Sequence, residues 1–194
     1  MCVDMTKSET EYYQNFCNFE DYKFLGKNVK IFPDVKIVNK KNVFIGDYSQ
    51  IDDFVFINGG KETKIGKYVH IASFSSVIGG GKFYMGDLSG LAAGCRIITV
   101  KEDYLGNTLN NPCVPDEYRT LPPDTFVKIG KYVTLGTNTI VHPNVTIGEG
   151  AVTGSGTVVL NDLEPYGIYV GCPARKVKDR KKDFLKMANE LIME

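Results

Sequence analysis

An aliphatic residue returns at every sixth position along most of this 194-residue chain. It does so at Leu25, Ile31 and Ile37, at Ile45, Ile51 and Ile57, at Ile65, Ile71 and Val77, and at Met85, Leu91 and Ile97. Each of these triplets starts 20 residues after the previous one, so three hexads plus two extra residues form one unit. The pattern resumes at Ile129, Leu135, Val141, Ile147, Thr153 and Val159 in unbroken steps of six. Neither an amphipathic helix nor a hairpin has this period. A short strand followed by a corner, three times per turn, does have it. The chain is therefore expected to wind into a three-sided prism with the first hexad position pointing inward. The fifth position (Ser49, Val69, Ser75, Ser89, Val133, Thr139) is small or β-branched, as a narrow interior near a corner requires. Glycine at the second position is read as letting the backbone turn. Stacked coils then satisfy each other's backbone groups in parallel register, about 4.8 Å apart. The extra pairs Val43-Phe44, Thr63-Lys64 and Phe83-Tyr84 fall at the same corner of three consecutive coils, where they form a ridge.

Composition agrees. Val plus Ile number 34 against 17 Ala plus Leu, a balance that favours strands. The fold class is all-β: a parallel β-helix of about six coils with a long excursion loop. Residues 1–24 are expected to form an N-terminal cap segment, with a capping box at Ser8-Glu9-Thr10-Glu11 and aromatics at helical spacing. Residues 25–177 form the prism, and 178–194 a C-terminal helix with an apolar stripe of Phe184, Leu185, Ala188, Leu191 and Ile192. The 23 basic and 23 acidic residues cancel, which removes the usual reason to expect a nucleic-acid or membrane-surface binder. There is neither a 20-residue apolar run nor a signal-like leader, and the five cysteines show no C-x-x-C spacing. A reduced, cytoplasmic chain with no metal and no transmembrane segment is the expectation.

The hexads, together with the tail Tyr166-Gly167-Ile168-Tyr169-Val170-Gly171-Cys172-Pro173-Ala174-Arg175, resemble the hexapeptide-repeat acyltransferases. The likeness is to the branch that holds galactoside and maltose O-acetyltransferases and surface-polysaccharide sugar acetyltransferases. It covers about residues 25 to 180. It implies a left-handed helix, a homotrimer, acetyl-CoA as cosubstrate and a sugar or sugar-nucleotide acceptor bound between two subunits. It also places the pantetheine arm along the later coils, with Gly136, Thr137, Gly154 and Ser155 as candidate contacts. Arg175, Lys176 and Lys178 are candidates for the CoA phosphates, the alternative being that they begin a solvated helix.

The hexads stop after Ile98 and leave a long interval, 99–128, of the kind that commonly carries function. Many acetyltransferases of the resembled family carry a histidine in this loop. Here the stretch reads Thr99-Val100-Lys101-Glu102-Asp103-Tyr104, with none. Glu102 and Asp103 are candidate proton acceptors, and Tyr104 and Asn107 candidate acceptor contacts, with Ser73 and Ser75 one coil earlier as its floor. Counting hexads puts His142 one coil from Ile98, at the loop root and pointing outward, which makes it a candidate base. His70 lies at another corner and is read as an inert surface residue. A sugar hydroxyl needs a base, whereas an amine, with a pKa of roughly 8, needs mainly positioning. The missing loop histidine therefore tilts the reading toward an amine. Two alternatives stay open: a non-catalytic scaffold, and a prism-shaped carbonic anhydrase. The second would need three histidines around zinc where the chain has 2.

Overall fold

The computed structural model describes residues 21–111, 113–120 and 124–193. The expected cap helix near residues 8–22 lies almost wholly outside them. Three parallel sheets form the walls of a prism, with a strand of each following in turn along the chain. Sheet A contains Phe24–Leu25, Val43–Ile45, Glu62–Ile65, Lys82–Met85, Phe126–Ile129 and Val145–Ile147. Sheet B runs from Lys30–Ile31 through Gln50–Ile51, His70–Ile71, Gly90–Leu91, Thr134–Leu135 and Val152–Thr153 to Gly167–Val170. Sheet C holds Lys36–Val38, Phe56–Asn58, Ser76–Ile78, Arg96–Ile98, Ile140–Val141 and Val158–Val159. That makes six complete coils and the start of a seventh, wound as a left-handed parallel β-helix.

The register follows the hexads. Ile31 pairs with Ile51, Ile51 with Ile71, and Leu91 with both Ile71 and Leu135. These side chains fill the interior, where Ile45, Ile57, Ile71, Ile97, Leu135 and Val141 are fully buried. Fifth-position residues are buried too, and the polar ones find partners, as burial demands. Ser49 donates to the Gly66 carbonyl at 2.8 Å and accepts from the Val69 amide at 3.0 Å. Cys95 is also inside, and burial pushes its thiol up to about 11.

The corners work differently from the sequence reading. The residue with positive φ is the fourth of the hexad, and it is usually not glycine: Tyr48, Tyr68, Leu88 and Tyr132 at one corner, Phe54 and Phe74 at the next. Second-position glycines are needed for a different reason. A Cβ on Gly46 would lie 2.7 Å from the Gly66 carbonyl, and one on Gly86 2.6 Å from the Lys131 amide. Coils approach too closely there for any side chain. The extra pairs stack coil on coil, Val43 against Thr63 and Thr63 against Phe83. They lie in strands, however, with Val43, Thr63 and Phe83 buried inside. The added length is taken up just before them, by the glycine- and asparagine-rich corner between sheets C and A.

At the end of the prism Gly167–Val170 pairs antiparallel with Arg175–Asp179, which covers the edge of sheet B. The helix expected from residue 178 therefore begins only at Phe184, and the boundary drawn there falls inside a strand. The helix, Phe184–Met193, sets Phe184 edge-on against Tyr132 at 5.7 Å, with the Arg180 guanidinium 4.2 Å above the Phe184 ring. Among the described residues no helix is long and apolar enough to cross a membrane.

Candidate functional site

The excursion loop leaves and returns at the corner between sheets C and A. Its first residue, Thr99, donates through N and Oγ1 to the Ile78 carbonyl at 2.8 and 2.7 Å and accepts from the Gly81 amide at 2.9 Å. Its last, Thr125, donates to the Thr99 carbonyl. A Cβ on Gly81 would meet the Thr99 and Thr125 carbonyls at 2.4 and 2.7 Å, so the triplet Gly79-Gly80-Gly81 makes room for the loop root. Asp124, one residue before the return, pairs with Lys61 and Lys82 of the two preceding coils.

Within the loop Asp103 is a hub. Its carboxylate accepts the amides of Leu105, Asn107 and Thr108 at 2.9, 2.7 and 2.9 Å. These bonds, the one to Leu105 first, hold it below the usual carboxylate range. An acid so fully engaged shapes the loop and is poorly suited to take a proton. Glu102 is freer, its nearest partner being Arg119 Nη2 at 3.9 Å. The Arg119 side chain is mostly covered, and its Nε has no partner among the described residues. Nothing in the sequence pattern singled out Arg119, because its pairing depends on how the loop folds back. Tyr104 and Asn107 are exposed on the loop surface.

His142 follows the strand Ile140–Val141, whose Val141 pairs with Ile97, so it sits one coil beyond Ile98 as counted. Its amide donates to the Val159 carbonyl at 3.0 Å, it is half-buried, and its ring makes no hydrogen bond among the described residues. Ser73 is half-exposed at the corner between sheets B and C. Ser75 is a correction: it points into the prism, donating to the Ala92 carbonyl at 3.2 Å and accepting from the Cys95 amide. It cannot floor an outside site. Gly136, Thr137, Gly154 and Ser155 lie at the end of sheet B and its corner, Gly136 stacked on Gly154. Arg175, Lys176 and Lys178 are exposed on the terminal strand and do not begin a helix; Lys176 bridges Glu164 and Asp179 at 3.0 Å each. Loop root and donor candidates thus lie at different corners of the prism.

His70 differs most from its sequence reading. Its Nε2 lies 2.9 Å from Asp52 Oδ2, while Gln50 Nε2 donates to Asp52 Oδ1 at 2.8 Å. A residue 18 positions earlier is its diagonal neighbour on the preceding coil, a relation the 20-residue unit contains. Among the described residues no group of three or more His, Cys, Asp or Glu could hold a metal ion.

Residues 126–161 match the family described as bacterial transferase hexapeptide (six repeats). The chain is 39% identical over 167 residues to dTDP-4-amino-4,6-dideoxy-D-glucose acyltransferase of Escherichia coli, covering 86% of each. It belongs to the hexapeptide-repeat acyltransferases. The crystal structure of AntD, an N-acyltransferase from Bacillus cereus in complex with dTDP and 3-hydroxybutyryl-CoA, superposes on this acyltransferase with a TM-score of 0.84. The two are 31% identical, and the match covers 100% of this chain and 98% of the other. A maltose O-acetyltransferase from Clostridium difficile 630, at 21% identity, TM-score 0.59 and coverage of 92% and 80%, shares the fold.

Proposed function

We propose that this acyltransferase moves a short acyl group, acetyl in the simplest case, from acyl-CoA to the amino group of a sugar nucleotide. The observation that carries the reading is the loop, pinned at both ends on one corner yet without a histidine of its own. An amine acceptor fits such a site, because it is a nucleophile once its ammonium proton is lost, and that proton lies within reach of a carboxylate. Glu102 is the proposed proton acceptor, held by Arg119, and Asp103 sets the loop's shape. Tyr104, Asn107 and Ser73 face the acceptor. Gly136, Thr137, Gly154 and Ser155 line the donor arm, and Arg175 and Lys178 meet its phosphates. An amino sugar nucleotide as acceptor and CoA as donor are supported by the aminosugar acyltransferase relative and by the N-acyltransferase bound to dTDP and 3-hydroxybutyryl-CoA. A homotrimer, with donor and acceptor between two copies, brings the two sides together. A cytoplasmic place in surface-polysaccharide synthesis suits such a substrate.

Release of free thiol from acetyl-CoA, measured across amino sugar nucleotides and their hydroxyl counterparts, tests the reading. Turnover restricted to amine acceptors is expected. No release with any acceptor, joined to no acetyl-CoA binding, would leave a scaffold. On an amine, His142→Ala is expected to retain turnover within about threefold. On a hydroxyl acceptor the same change should cost at least about tenfold, the scale of a lost general base.

A further inference from the structure

We infer that His70, oriented by Asp52 and Gln50, donates the proton that the departing CoA thiolate takes up. The inference deepens the proposed acyl transfer and rests on it. In that reaction the amine nitrogen attacks the thioester carbonyl carbon. The C–N bond forms, and one proton leaves the nitrogen for Glu102. The C–S bond breaks with its electron pair on sulfur, and the sulfur needs a proton. Asp52 occupies Nε2 of His70 at 2.9 Å and is itself held by the Gln50 amide at 2.8 Å. A carboxylate on one ring nitrogen fixes the ring's orientation and leaves the other nitrogen as the one that faces a reacting group. That other nitrogen, Nδ1, has no partner among the described residues, and the ring is half-exposed, open to reprotonation from water.

The surroundings agree. His70 stands on the outer face of sheet B, the face that ends in Gly136 and Gly154. Directly one coil beyond it in register is Gly90, where an added Cβ would find only the His70 carbonyl, at 3.8 Å. Ala72 and Ala92 flank this opening. An extended thioester arm can therefore lie flat on the face and end at the imidazole. His142, at the end of a sheet C strand, has no carboxylate partner among the described residues and stands on another side of the prism.

His70→Ala, an exposed-site change, tests this. The expected result is at least about a tenfold fall in kcat with acetyl-CoA, at nearly unchanged KM and melting temperature. Added free imidazole, which fits the space left above Gly90, should restore most of the lost rate. Asp52→Asn should give a smaller loss, because the ring stays but its orienting charge goes. A packing role would show no rescue by imidazole. An active wild type with an unaffected His70→Ala, or a loss that imidazole does not restore, overturns the inference while leaving acyl transfer intact. A wild type that transfers nothing ends both.

Discussion

Tyr48, Tyr68, Leu88 and Tyr132 each hold a left-handed backbone that ordinarily costs a bulky residue about 1–2 kcal/mol. Stacking offsets part of that cost. The Tyr48 and Tyr68 rings lie 4.9 Å apart at 5°, and Phe54 and Phe74 lie 5.2 Å apart at 13°. Glycine is required where coils touch, two residues earlier in the hexad. Gly86→Ala should therefore destabilise the protein by about 1–3 kcal/mol, as overpacking does, because its Cβ would sit 2.6 Å from backbone that cannot move aside. Gly90→Ala is the control. With open space on its outer side it should change stability by less than about 0.5 kcal/mol. Denaturant midpoints of the two variants check both statements.

At the scale of the element, one residue per coil builds an alternating ladder along the corner of sheets A and B: Lys27, Asp47, Lys67, Asp87 and Lys131. Each aspartate accepts an amide of the coil before it and pairs with the ammonium of the coil after it. Asp47 takes the Lys27 amide and Lys67 Nζ, both at 2.9 Å. Asp87 takes the Lys67 amide at 2.9 Å and Lys131 Nζ at 3.1 Å. The Lys67 ammonium, then the Lys27 amide, hold the Asp47 carboxyl below its usual value. Its stabilisation is therefore in place above the unfolded carboxylate pKa of about 3.9 and is lost as pH falls through the lower folded value. Lys67 and Lys131 are raised by Asp47 and Asp87. Their contribution is in place below the unfolded lysine pKa of about 10.4 and is lost as pH climbs through the raised values. Asp47→Asn should lower the melting temperature at neutral pH, with the gap to wild type closing toward pH of about 2. High salt should narrow the same gap, since the ladder is exposed.

For the whole molecule, the loop root on the corner of sheets C and A and His70 on sheet B face away from each other. In the homotrimer proposed above, the two halves of the reaction would meet across copies of the chain. Glu102→Gln and His70→Ala subunits, each nearly inactive alone, should regain activity when co-assembled, because some mixed interfaces then pair an intact loop with an intact His70. Measured on mixed oligomers separated by a tag, no recovery would place both groups in one chain's site. The proposed trimer is checked by mass in solution.

The hexad period decided the prism, the register and the inward residues before any coordinates, because parallel stacking puts every coil's nth residue over its neighbour's. It also fixed where His142 stands relative to Ile98, and that the loop must spring from one corner. Other features depended on contacts the period does not encode. Asp103 is committed to loop amides, and Arg119 is drawn beneath Glu102, because the loop folds back on itself. Ser75 is turned inside, its hydroxyl satisfied by neighbouring coils. The terminal Arg175–Asp179 strand forms because an open sheet edge needs a partner more than the chain there needs a helix. The period sets Asp52 diagonally beside His70, but that the imidazole reaches the carboxylate at 2.9 Å depends on side-chain orientation. A one-dimensional period fixes which residues stack, but reach and orientation of side chains across that stack are set only when the walls are folded together.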